Sequence, residues 1–212
     1  TINRRISRLD VKINDNKSKE FENDYIIIAV DSTGIKVTNR GQRMRDKWHI
    51  KKKGYLKIHV AVDVKSKKIL SMKVTDEHVH DSKALPELVD DAIRSDSRKI
   101  TVCKLLADGA YDSNDVFRCL SDNGTLPCVK LRKNARIKLK TNHILRNLSV
   151  LAQRNDFQKW EDGVSYGHRW MAETVFSSLK RMFGEYVYSV KFKNMIQEMM
   201  LKASLYNKII SI

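Results

Sequence analysis

The chain has 212 residues, with 41 Lys and Arg against 25 Asp and Glu and a formal net charge of +16. That length is enough for one domain with a full apolar core, and so large a positive surplus points to a polyanionic partner, nucleic acid by default. No run of about 18 or more apolar residues occurs, which argues against a membrane-spanning helix, and three cysteines without a C-x-x-C pair read as reduced thiols of a cytoplasmic protein rather than a disulfide framework.

Residues 1–24 form a basic, polar lead-in. Residues 25–31 are a continuous apolar, β-branched run closed by Asp31 and followed by Ser32, Thr33 and Gly34. This pattern predicts a buried central strand whose last residue, Asp31, emerges at the sheet edge. Residues 36–57 then carry nine Lys or Arg, among them Arg43, Arg45, Lys51, Lys52 and Lys53, against the single acid Asp46. Trp48 lies inside this run, where it can stack on an unpaired base. A solvated loop is the plainer reading of the same run.

Residues 55–63 and 68–75 alternate as two strands of a hairpin joined by Lys65, Ser66 and Lys67, giving three antiparallel strands with residues 25–31. His59 is expected on a strand face, and His78 and His80 in a polar loop, with no spacing that suits zinc. From 82 to 94 the apolar positions Ala84, Leu85, Leu88, Val89, Ala92 and Ile93 recur at helical spacing, with Asp81 as N-cap. A second mostly apolar run, 100–108, is closed by Asp108 and Gly109. An acid in such a position is often only a turn former or cap. Asp112 or Ser113 can cap the helix expected over 114–123, however, which leaves Asp108 without a routine structural duty. Gly124 ends that helix, residues 125–131 give a fifth strand, and the order is βββαβαβα.

The stretch 130–146 holds seven Lys or Arg, including Arg132 and Lys133, and no acid. Residues 149–163 read as a short connection. Beyond them Tyr166, Arg169, Glu173 and Lys180 stand at offsets of 0, 3, 7 and 14. At roughly 100° per residue these fall within a stripe about 60° wide on one helix face, with Met171, Val175, Leu179 and Met182 opposite. An ordinary surface ion pair between Arg169 and Glu173 explains part of this pattern. The tail, 192–212, is apolar at helical spacing and reads as a core-packing helix.

Three carboxylates brought together repel one another unless cations neutralise them, and oxygen-liganded magnesium or manganese is the natural answer. With Val30-Asp31-Ser32-Thr33-Gly34, Ala107-Asp108-Gly109-Ala110-Tyr111-Asp112, the Lys53-to-His59 and Val79-to-Ser82 stretches, and Tyr166, Arg169, Glu173 and Lys180 at YREK spacing, the chain resembles the DDE transposases of prokaryotic insertion sequences. The resemblance runs from about residue 25 to 193. It implies an α/β, RNase H-like fold over residues 25–212: a mixed five-stranded sheet, three strands antiparallel and two further strands, flanked by helices. It implies that Asp31, Asp108 and Glu173 bind two Mg2+ or Mn2+ ions and catalyse DNA cleavage and strand transfer, while Tyr166, Arg169 and Lys180 contact the DNA backbone. The partners implied are double-stranded DNA, at element ends and target, and a second copy of the chain on that DNA, with no small-molecule cofactor and a location beside the prokaryotic nucleoid. Residues 1–24 are expected to be the remnant of a missing N-terminal DNA-binding region. A DNA-binding remnant that no longer cuts, and a nuclease without strand transfer, fit the same residues.

Overall fold

The computed structural model describes residues 2–6, 8–13, 25–37, 55–94, 101–137 and 144–212. Five strands lie in the order β3-β2-β1-β4-β5: β1 (Tyr25–Val37), β2 (Tyr55–Asp63), β3 (Ile69–Asp76), β4 (Thr101–Ala107) and β5 (Leu126–Val129), with a short β6 (Tyr186–Val187) also on β1. The β1–β2 and β2–β3 pairs are antiparallel, and β4, β5 and β6 join in parallel. The helices are α1 (Ile2–Ile6), α2 (Asp81–Arg94), α3 (Asn114–Asp122), α4 (Ile144–Asn155), α5 (Phe157–Val164), α6 (Trp170–Phe183) and α7 (Phe192–Ile210). This is the α/β, RNase H-like arrangement expected, with the βββαβαβα order intact.

The central strand is apolar because it is covered twice. Successive side chains of a strand point to opposite faces. Ile26, Ile28 and Val30 accordingly enter one core with Leu85, Leu88 and Val89 of α2 and Val116, Phe117 and Leu120 of α3. Ala29 and Ile35 enter the other core, with Val175 and Leu179 of α6 and Met195, Met199 and Tyr206 of α7. Asp31 and Thr33 share the parity of Ala29 and Ile35 and belong to the α6 face; Ser32 belongs to the α2 face.

Three boundaries differ from the sequence expectations. β1 does not end at Asp31. Its ladder with β2 continues from Ile28↔Asp63 to Lys36↔Tyr55, so Asp31 sits mid-strand opposite Val60. What ends near Asp31 is the neighbour on the other side: pairing with β4 stops at Ala29↔Leu106, and β6 joins only at Lys36↔Tyr186. The connection 149–163 is helical, made of the end of α4 and all of α5, whose start is capped by Asp156 accepting from Lys159 N at 2.9 Å. The helix expected to begin at Tyr166 begins at Trp170, because Ser165 takes a left-handed conformation (φ 58°) and Tyr166–Arg169 wind as a tighter 3₁₀ turn.

The tail packs as expected. Its helix α7 also closes one corner of the sheet: buried Asn207 accepts from Ile69 N at 2.9 Å and donates to Ile69 O at 2.8 Å, standing where a further strand would. Asn207→Leu removes the side-chain partner of the Ile69 N–H and C=O at about 1–3 kcal/mol each, so a loss of roughly 2–6 kcal/mol is expected from the urea midpoint at unchanged m-value.

Candidate active site

The gap beside β1 brings acids of three elements within electrostatic reach of one another. Asp31 projects into it from mid-strand, with Ser32 N donating to its Oδ1 at 2.8 Å. Asp108 follows directly from β4, whose last residue lies beyond the end of the β1 ladder. Its Oδ1 accepts from Ala110 N at 2.9 Å, so Asp108 does have a local structural duty, heading the short turn Gly109–Tyr111. Ser113 caps α3 through Val116 N at 3.2 Å. Glu173 comes from the first turn of α6.

Burial, above all, raises the Asp31 carboxyl above its usual range; Ser32 N opposes this, and Asp108 and Glu173 add to it while Arg169 subtracts. The three acids therefore share one electrostatic field. Arg169 already acts as a cation between two of them: Nη1 donates to Asp31 Oδ2 at 3.4 Å and Nη2 to Glu173 Oε1 at 2.5 Å. Burial works against the guanidinium charge, but Glu173, Tyr166 and Asp31 outweigh it and raise its pKa further. The pair Arg169–Glu173 is thus more than an isolated surface contact, because the same guanidinium spans to a partly buried acid on a different element.

Lys180, further along α6, donates to Thr33 Oγ1 at 2.8 Å, on the face that strand parity assigns to it. Tyr166 departs from the expected exposed stripe. It is 5% exposed, its ring lies 5.2 Å from that of Trp160, and its hydroxyl donates to Ala107 O at 3.1 Å, one residue before Asp108. The 3₁₀ turn rotates it away from solvent and onto the end of β4. Met182 departs in the other direction: it is exposed, and Ala172 and Phe176 take part in the buried face instead.

The sequence reading missed two networks that hold these elements. On the α2 face of β1, Asp81 is the first residue of its helix and turns its carboxylate toward the sheet, 2.8 Å from Lys57 Nζ and 3.2 Å from His59 Nδ1. Burial would raise the Asp81 carboxyl, but His59, Lys57 and Ser32 pull it well below the usual range. His59 is fully buried and pairs through Nε2 with Thr75 Oγ1 at 3.0 Å. Ser32 faces His59 across the β1–β2 ladder, so this cluster lies directly behind Asp31. The second network fastens the Asp108 turn: Arg146 of α4 grips Asp112 through Nε (2.7 Å) and Nη2 (3.1 Å), and Asp112 also accepts from Arg132 N at 3.2 Å. Only the strand register could have pointed to the first, and nothing local to the second.

Of the residues expected on DNA, Arg132 and Lys133 are exposed just after β5, and Arg132 Nε donates to Gly109 O at 3.1 Å. Arg43, Arg45, Trp48, Lys51, Lys52 and Lys53 lie outside the described residues. The candidate ligands Asp31, Asp108 and Glu173 offer carboxylate oxygens, which suits a hard divalent cation, and Arg169 already lies between Asp31 and Glu173. Among the described residues no three His, Cys, Asp or Glu side chains stand close enough, as placed, to hold one ion. Arg169 occupies part of that space. No helix among the described residues is long and apolar enough to cross a membrane. The family model described as a transposase DDE domain matches residues 22–208.

A carboxylate whose folded pKa lies above its unfolded value opposes folding when pH exceeds both, and the penalty fades as pH falls through the folded value. Asp31→Asn is therefore expected to raise the melting temperature at pH 7 in EDTA. The gain should shrink toward pH 4; a gain that is constant with pH, or a loss, would contradict the electrostatic account of Asp31.

Proposed function

The chain belongs to the transposase DDE-domain family, and from that premise we propose that Asp31, Asp108 and Glu173 are the catalytic carboxylates of a divalent-metal-dependent site that cuts DNA at the ends of an insertion sequence and joins the freed 3′-hydroxyl to target DNA. What supports this reading is that Asp31 of mid-β1, beside a stretch of strand that neither β4 nor β6 pairs, feels the charges of Asp108 after β4 and Glu173 of α6. Asp31, Asp108 and Glu173 would hold Mg2+ or Mn2+, two ions by preference. Bound there, such a pair activates the attacking oxygen and stabilises the leaving oxygen of an in-line phosphoryl displacement.

The protein side chains supply the rest. Arg169, whose two arms now rest on Asp31 and Glu173, can turn its planar fork to the phosphate next to the cut, exchanging carboxylate for phosphate oxygens of similar geometry. Lys180, held beside Thr33, places a point charge on the same face. Tyr166 supports the end of β4 through Ala107 O, so its proposed part is to fix the position of Asp108 rather than to meet DNA itself. Arg132 and Lys133, with Arg43, Arg45, Trp48, Lys51, Lys52 and Lys53, supply cations and one stacking ring for the duplex on either side. Two copies would act together on paired element ends, and the work would be done at the nucleoid.

The test is cleavage and joining of end-bearing DNA with Mg2+ or Mn2+, comparing wild type with Asp108→Asn. Asp108→Asn should abolish cutting and leave duplex affinity within about twofold, because the lysine and arginine surface is untouched. Nicking without joining would reduce the reading to a nuclease. Binding without either would reduce it to a remnant.

A further inference from the structure

The segment leaving β5 and the elbow between α4 and α5 enclose a cavity of about 210 Å³. Lys130, Arg132 and Lys133 line it from the segment, Gln153 and Arg154 from α4, and Phe157 from the start of α5. Among the described residues no acid lines it, and none of its four cations has a carboxylate partner. The cavity has a defined frame. Gln153 accepts from Leu131 N at 3.0 Å and donates to Val129 O at 2.9 Å, joining α4 to the strand exit. Arg154 Nη2 donates to Ala135 O at 2.6 Å, and Lys130 Nζ stands 5.3 Å from the centre of the Phe157 ring.

This frame is tied to both sides of Asp108. Lys130 N donates to Ala107 O at 3.0 Å, and Arg132 Nε to Gly109 O at 3.1 Å. A β-carbon at Gly109 would meet Lys130 O at 3.5 Å, ordinary contact, so the Asp108 turn packs directly on the cavity rim. Four cations converging without an acid call for an anion, and a polyanion passing Asp108 must pass this rim. The volume lies below the roughly 300 Å³ at which pockets for free small molecules begin. It suits a phosphate group and part of its nucleotide.

We propose that this cavity is a second DNA subsite, in which Lys130 and Arg154 join Arg132 and Lys133 to grip one backbone phosphate of the strand that runs on from the acidic cluster. The proposal rests on the functional reading above. It adds the α4–α5 elbow to the DNA surface and makes it part of the same rigid unit as Asp108, so that gripping the strand also sets its distance from the carboxylates.

Lys130→Met and Arg154→Gln, singly and together, are to be compared with wild type for binding a labelled duplex in EDTA over a range of salt. Melting by circular dichroism checks that each variant is folded. Lys130→Arg, which keeps the charge, serves as the conservative variant, and Lys65→Met with Lys67→Met, on the β2–β3 turn, as the remote control. The slope of log K against log salt should fall by about 0.9 in the double variant, which gives up the one phosphate held here, and by less in either single variant. It should stay at the wild-type value in Lys130→Arg and in the remote pair. An unchanged slope in a folded double variant that still binds, or an equal fall in the remote pair, overturns the subsite alone. Saturable binding of inorganic phosphate that the double variant loses, with its duplex slope unchanged, makes this a free-anion site and also overturns the proposal. A wild-type chain that binds no duplex overturns both this inference and the functional reading beneath it.

Discussion

β1 is shared by two hydrogen-bonded ladders, and the two do not run for the same length. On the β2 side it is paired from Ile28 to Lys36. On the other side β4 leaves after Ala29 and β6 arrives at Lys36, so a stretch of central strand is held rigidly along one edge and open along the other. Strand alternation then decides what the opening contains. Asp31 and Thr33 turn to the α6 side and find Arg169 and Lys180; Ser32, between them, turns to the α2 side and meets the Asp81 cluster. A polar side chain in the middle of a fully covered strand would ordinarily be a burden on stability. Here the missing neighbour gives it both room and partners.

Charge is distributed on the same plan. Behind β1, Asp81 is balanced by Lys57 and His59, which draw its carboxyl well below the usual range. In front, Asp31 and Glu173 share Arg169, and burial raises the Asp31 carboxyl above its usual range. The front is thus short of positive charge and the back is not, and on that imbalance the proposed metal and phosphate chemistry rests. The buried pair Arg146–Asp112 holds the turn that carries Asp108, a position where replacing both partners by apolar groups would be tolerated better than losing one.

Much of this was legible in the chain itself. The β-branched run before Asp31, the hairpin at 55–75 and the helix over 82–94 appear almost where expected, because each is defined by local periodicity. The end of β1 was not legible, since it depends on which strand lies alongside, and β4 comes some 70 residues later. Helix α4 escaped notice for a different reason. It buries Arg146 and Val150 while Ile144, Leu148 and Leu151 stay exposed, so its apolar spacing does not trace a core stripe. Of the residues spaced as Tyr166, Arg169, Glu173 and Lys180, the last three share the face toward Asp31 and Thr33, but the 3₁₀ turn after Ser165 sends the tyrosine inward. A left-handed serine carries no sequence signal strong enough to forecast that.

The amide of Asn207, set against the outer strand β3, has an implication for assembly. An exposed outermost strand is a template on which another polypeptide can add itself. At Ile69 both backbone groups are already taken by a side chain from the same molecule, and Tyr206 donates to the carbonyl of the nearby Lys67 at 3.2 Å. Sheet extension from one molecule into the next is thereby blocked at this corner, which directs any association of copies toward other surfaces.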